Sequence, residues 1–161
     1  MPELHPDVAV LAPLLGTWAG AGAGEYPTID SFGYREEITL GHVGKPFLTY
    51  SQRTRASDDG RPLHAETGYL RVPSPGRIEL VVAHPTGVTE IDEGTLSVER
   101  HGLTIEVAST SIGLTGSAKS VTALSRSFRL DGDRLTYSVS MAAVGVPLTH
   151  HLAATLRRQL G

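Results

Sequence analysis

The sequence predicts an all-β protein, a roughly ten-stranded antiparallel up-and-down β-barrel with a short N-terminal helix. Short runs of alternating side chains are separated by turn dipeptides at Asp59-Gly60, Pro75-Gly76, His101-Gly102 and Asp131-Gly132. That spacing suits an antiparallel meander and not βαβ units. Hydrophobic residues fill 40% and charged residues 19% of the 161 positions, which suits one globular domain over 1–161. A sheet of that many twisted strands tends to close, because closure removes its exposed edges.

Pro6 to Leu15 is the helical candidate, since Val8, Leu11, Leu14 and Leu15 recur at helix spacing. It is too short to stand alone and suits a plug packed against one end of the barrel. Strands are expected at 16–26, 32–42, 46–55, 63–72, 77–84, 88–99, 102–111, 117–130, 134–144 and 148–158. The first places Trp18, Gly20, Gly22 and Gly24 at every second position, on a face that is bare beyond Trp18. Interior glycine costs a strand entropy, so either a bent barrel corner or the close approach of something flat accounts for three of them. A dinucleotide or kinase loop does not, because Glu25 occupies the third glycine position of G-x-G-x-x-G and no helix follows.

Elsewhere Ala19-Ala21-Ala23, Gly113-Thr115-Ser117 and Thr149-His151-Ala153-Thr155 put small side chains on one face of their strands. Facing inward they leave a cavity, which is the expectation, although they also suit a flat outer surface. In the last strand Leu148, Leu152 and Leu156 share the opposite face, which suits packing against the helix or a second subunit.

A net charge of −3 and no basic run beyond Arg157-Arg158 argue against nucleic acid or an acidic membrane surface as partner. Nothing approaches the roughly 18 apolar residues of a membrane span, and the start Met1-Pro-Glu-Leu-His lacks the features of a secretory signal, so a cytoplasmic location is expected. The chain has no cysteine, which excludes disulfides, thiolate metal sites, a catalytic thiol and covalent haem. A metal or cofactor must therefore be held by His, Asp, Glu, Met or Tyr.

Of seven histidines, His5 and His101 suit the surface, and His150 and His151 cannot both enter a barrel because strand neighbours point to opposite faces. The apolar leucine face favours His150; the small neighbours of His151 leave room for a planar ligand. No H-x-H or H-E-x-x-H spacing supports a zinc hydrolase.

Gly16-Thr-Trp18-Ala-Gly20-Ala-Gly22, followed by Tyr26-Pro-Thr-Ile29, resembles the G-x-W-x-G-x-G signature of the nitrobindins. The similarity continues through His64-Ala-Glu-Thr-Gly68, Gly87-Val-Thr-Glu90, Ala118-Lys119, Arg126-Ser-Phe128 and His151-Leu-Ala-Ala, covering nearly the whole chain. It implies a barrel shaped like the fatty-acid-binding proteins, holding one non-covalent b-type haem per chain near its open end. The family's axial histidine falls on His151, the implied iron ligand. By the same resemblance Thr28, Lys119, Leu63, His84 and Met141 lie at the cofactor, with His64 as a distal catalytic partner of His151. Leu63 stands where some plant relatives have Met and His84 where they have Gln, so the distal hydrogen bonding departs from theirs.

The implied activity is isomerisation of peroxynitrite to nitrate on ferric haem. Two other readings are a nitric oxide binder or sensor without turnover, and a haem-free carrier of an apolar ligand. None of Arg35, Arg53, Arg55, Arg71, Arg126 and Arg129 can be assigned to the interior from the sequence. A homodimer is the expected assembly.

Overall fold

The computed structural model describes residues 2–160. Ten antiparallel strands follow one another around a closed barrel: β1 (Gly16–Tyr26), β2 (Ile29–Gly41), β3 (Leu48–Ala56), β4 (Pro62–Arg71), β5 (Arg77–His84), β6 (Val88–Glu99), β7 (Gly102–Leu114), β8 (Val121–Asp131), β9 (Arg134–Ala143) and β10 (Val146–Arg158). Pairing of β1 with β10 seals the ring.

The N-terminal helix is a 3₁₀ helix, Pro6–Leu14, with Leu15 already in extended backbone. Its buried residues, Val8, Leu11 and Leu14, lie three apart, which is one turn of a helix with three residues per turn. Pro13, inside it, has no N–H to offer an α ladder. The helix closes one end of the barrel. Trp18, fully buried, donates from Nε1 to the Leu14 carbonyl at 2.9 Å. Arg158 lies 4.3 Å over the Trp18 ring and donates to the carbonyls of Leu15 and Pro13 at 2.7 and 2.5 Å. Trp18 near the start of β1 and Arg158 at the end of β10 thus clamp the plug.

The bare glycine face meets the protein itself. A Cβ at Gly22 would fall 2.4 Å from the Tyr34 ring, and one at Gly24 would fall 2.3 Å from the Phe32 ring. Both aromatics are the cross-strand partners of those glycines on β2. At Gly20 the obstacle is backbone, the Thr155 carbonyl oxygen at 2.1 Å. The close approach of something flat is met at Gly22 and Gly24 by the protein's own rings, while at Gly20 the backbone of the neighbouring strand takes the space.

The small-residue tracts face outward instead of lining a cavity. Ala21 and Ala23 are exposed and pair with Thr155 and Ala153 of β10 on the outer surface, while Thr115 and Ser117 are exposed beyond the end of β7. The interior is filled by the opposite parity. Leu156 is fully buried and Leu152 packs on the core, so neither offers an outward apolar face; Leu148 is exposed and separate from them. The plug-side layer is apolar, with Ile38, Leu40, Leu48, Leu70, Ile78 and Leu130 among its members. Above it lies a layer of buried polar side chains, and above that the open mouth.

Candidate functional site

The mouth lies at the end of the barrel away from the plug, where β1 ends, β4 begins, β5 ends and β10 begins. His151 is there because the β10 ladder slips: His150 pairs with Ser140 but Leu152 pairs with Val139, leaving His151 as an extra residue. A bulge of this kind bends the strand locally and re-aims a side chain. Leucines 152 and 156 keep the inward parity, yet His150 is exposed and His151 half-buried. The alternation that pointed to His150 holds up to Leu152 and fails at the bulge.

His151 is held on two sides. Its Nδ1 lies 2.9 Å from the Glu25 carbonyl oxygen, and its ring meets the edge of Tyr26 with centroids 5.3 Å apart. Tyr26 is itself pinned, its hydroxyl donating to the Met141 carbonyl at 3.0 Å and accepting from Ala143 N at 3.0 Å. Burial lowers the His151 pKa, the Glu25 carbonyl opposes this, and His150 and His64 lower it further. The imidazole is therefore neutral near pH 7, with its one proton on Nδ1 and the Nε2 lone pair free.

Below the mouth the barrel holds an ionic layer. Arg126 on β8 donates to Glu66 Oε2 at 2.8 Å and to Glu90 Oε2 at 3.2 Å, with a closer contact from Nη2 to Glu90 Oε1. His84 Nε2 lies 2.7 Å from Glu90 Oε1, and its Nδ1 lies 3.2 Å from His64 Nε2. His64 Nε2 is also 3.2 Å from Glu66 Oε1, while Tyr50 donates to Glu66 Oε2 at 2.8 Å. Burial would raise Glu66, but Arg126, His64 and His84 outweigh it and hold the carboxyl well below its usual range. At Glu90 burial is likewise outweighed, by the His84 hydrogen bond and Arg126, leaving it at about 2. Asp92 moves the other way, to about 9, through burial and then the hydrogen bond and charge of Glu90. Among the described residues neither Asp92 oxygen accepts a hydrogen bond, and a proton on the acid lets it donate to Glu90 instead.

Across the layer, Tyr137 and Gln52 donate to the two oxygens of Glu36, each at 2.6 Å, and the Tyr34 and Tyr137 hydroxyls are 2.7 Å apart. Burial pushes Glu36 up to about 7 against those two hydrogen bonds.

The sequence-derived residues distribute unevenly about the mouth. His64, His84 and His151 face it, all half-buried, and Met141 lies partly buried against the core beneath it. Thr28 and Lys119 are exposed in the β1–β2 turn and the β7–β8 loop that border it. Leu63 is a correction: it falls on the outward parity of β4, opposite to His64, and is exposed. Gly16, at φ 125°, starts β1 at the plug end, so Gly16, Trp18, Gly20 and Gly22 build the frame and do not face the mouth. Tyr26, Tyr50, Glu66, Glu90, Asp92, Arg126 and Glu36 went unassigned by sequence reasoning. Their signal was present, since each shares parity with apolar residues of its own strand.

These residues suit a haem in two respects. The neutral His151 offers an unprotonated Nε2 at the mouth, with its tautomer set by a backbone carbonyl. Partly buried Phe32, Ile112, Val121, Met141 and Leu152 supply apolar contacts at the same end of the barrel. Two voids lie away from the mouth: about 30 Å³ within the apolar layer, and a groove of about 450 Å³ along Ser125, Ser127, Ser138 and Ser140. Arg126 is already engaged by Glu66 and Glu90, so it is not free to take a fatty-acid carboxylate.

Comparison with known proteins agrees with this architecture. The family model described as "THAP4-like, heme-binding beta-barrel domain" matches residues 7–158. A protein named peroxynitrite isomerase 1 from Mycolicibacterium paratuberculosis is 65% identical over 157 residues, covering 98% of each chain. A peroxynitrite isomerase from Nocardia farcinica is 66% identical over 155 residues, covering 96% of this chain and 92% of its own. The crystal structure of Rv2717c from M. tuberculosis superposes with a TM-score of 0.96 at 59% identity, covering 98% of this chain and 100% of that one.

Proposed function

The chain belongs to the THAP4-like, heme-binding beta-barrel family, and on that footing we propose that it isomerises peroxynitrite to nitrate at a b-type haem ligated by His151. One observation carries the ligand assignment: the half-buried His151 gives its Nδ1 proton to the Glu25 carbonyl at 2.9 Å and keeps Nε2 free. Relatives that are 65% and 66% identical bear the name of this activity.

Ferric haem, when bound, supplies a Lewis-acidic iron for an oxygen of the anion. Peroxynitrite and nitrate have the same atoms and charge, so the protein has no net electron or proton to deliver. Its residues are left to bind, orient and shield. Tyr26 and the Glu25 carbonyl keep the His151 ring from rotating, and the bulge keeps His150 out of competition. Phe32, Ile112, Val121 and Leu152, partly buried at the mouth, would shield a bound haem from water. His64 is held at the mouth by contacts from its Nε2 to Glu66 Oε1 and His84 Nδ1, each 3.2 Å away.

The test is reconstitution with hemin followed by stopped-flow decay of peroxynitrite with nitrate quantified. A Soret band saturating at one equivalent is expected, with faster decay than the haem-free chain gives. His151→Ala should lose the histidine-ligated spectrum while His150→Ala retains it. No acceleration by the ferric protein would end the catalytic reading. If the protein instead stayed ferrous in air and bound nitric oxide reversibly, without touching peroxynitrite, gas binding would replace it.

A further inference from the structure

We propose that His64, Glu66 and His84 form a second, non-haem metal site for a divalent first-row cation such as Zn²⁺. The three donor atoms His64 Nε2, His84 Nδ1 and Glu66 Oε1 already converge. His64 Nε2 is 3.2 Å from each of the other two, and His84 Nδ1 is 3.7 Å from Glu66 Oε1. A tetrahedral zinc with bonds of about 2.0–2.1 Å separates its ligands by about 3.3 Å, so the triangle needs only slight adjustment to receive the ion.

The backbone explains the convergence. His64 and Glu66 are two apart on β4 and share the inward face. The β4–β5 ladder ends at Thr67↔Ala83, so the next step sets His84 beside Glu66. The His64 backbone is fixed in turn by its N–H, which donates to Thr54 Oγ1 at 3.1 Å.

On His84 and Glu66 the atoms that would not touch the metal are already occupied, which is the arrangement that orients ligands in metal sites. His84 Nε2 is bonded to Glu90 Oε1 at 2.7 Å, which places its proton there and leaves Nδ1 as the donor. Glu66 Oε2 accepts from Tyr50 and from Arg126, both at 2.8 Å, leaving Oε1 free to ligate. Glu66 and Glu90 share a single guanidinium, so the local field favours another cation. Two histidines and one carboxylate leave a position open, which a water or a small anion would take. His64 is the one ligand with substantial exposure, 30% of its side chain, and marks the side of entry.

This assignment goes beyond the haem proposal and does not depend on it, so it is tested first on the full-length haem-free chain. Titration with Zn²⁺ against a chromophoric chelator is expected to show one equivalent bound. His64→Ala should weaken binding by at least 100-fold, and Glu90→Gln, which takes away the charge that faces both His84 Nε2 and Arg126, by roughly 10-fold. His151→Ala should leave zinc binding unchanged, whatever it does to hemin. Ring ¹⁵N NMR of the unsubstituted protein gives an independent readout if a variant misfolds: zinc should move His64 Nε2 and His84 Nδ1 and leave His150 and His101 alone. No stoichiometric binding, equal binding by His64→Ala, or shifts confined to other histidines would overturn the proposal. Repeating the titration on hemin-loaded protein then shows whether the cation and the haem are held together, since the Soret band reports the haem separately.

Discussion

Replacing Glu36 with Gln should make the protein more stable at mildly alkaline pH and change little in acid. Glu36 is buried between Tyr137 and Gln52, and its pKa rises from 4.5 to about 7, chiefly through burial. A carboxyl whose folded pKa lies above its unfolded value binds more protons in the native state over that interval. Its contribution is fully present below the unfolded value and is lost as pH rises through the folded one. Over the whole window the loss amounts to roughly 3 kcal/mol, and between about pH 5 and about pH 8 to roughly 2–3 kcal/mol. Glutamine imitates the protonated acid, and the pocket is prepared for it. Tyr137 can still donate to the remaining oxygen, and a turn of the Gln52 amide brings its Oε1, unpartnered among the described residues, to face the new NH₂. Urea unfolding of both proteins at the two pH values isolates this group, because the other carboxylates titrate equally in each. The stability difference should move in favour of Glu36→Gln by that amount as pH rises. A difference that stays flat across the range would show that Glu36 titrates normally and that the burial argument is wrong.

Arg126→Met should cost about 3–5 kcal/mol in the same assay, since it strands the buried Glu66 and Glu90; a loss below about 1 kcal/mol would mean the ionic layer rearranges freely. Gly20→Ala should be far more damaging than Gly24→Ala, because the first Cβ meets the Thr155 carbonyl and the second only the half-buried Phe32 ring, which can swing. Melting temperatures in which the two are equal would refute that distinction. Val144 holds φ 46° in the β9–β10 turn before Gly145, a conformation poorly suited to a β-branched residue. Val144→Asn should therefore stabilise by about 1 kcal/mol in urea unfolding, and a loss of stability would mean the valine makes contacts that outweigh the strain.

Most of the strand boundaries were legible because the turns announce themselves. Gly60, Gly76 and Gly132 take up positive φ where the Asp-Gly and Pro-Gly pairs predicted reversals. Gly102 is different: it stays within β7, where a Cβ would fall 1.7 Å from the Leu130 carbonyl oxygen, so its dipeptide marked a close strand approach at the edge of a turn. The helix was legible as an apolar stripe but not in its pitch. Leucines and a valine three apart fit both windings within nine residues, and Pro13 was the available clue.

The site was harder to read because two defaults of pattern reading both fail there. Charged residues are assigned to water, yet Glu36 shares the inward parity of Ile38 and Leu40, Glu90 that of Val88, and Arg126 that of Leu124 and Phe128. Each looks like an isolated exception within its own strand. Only when ten strands close do the exceptions meet, opposite in sign and at one height in the barrel, and the pairing that makes them tolerable is then a property of the ring. Alternation is also assumed to be unbroken, and at His150–Leu152 it is not. No residue in Thr149-His150-His151-Leu152 announces a bulge. The strand could have kept its register by burying His150, at the expense of the Glu25 carbonyl bond and the Tyr26 contact that hold His151. One inserted residue therefore separates a strand that merely completes the barrel from one that presents an imidazole at its mouth.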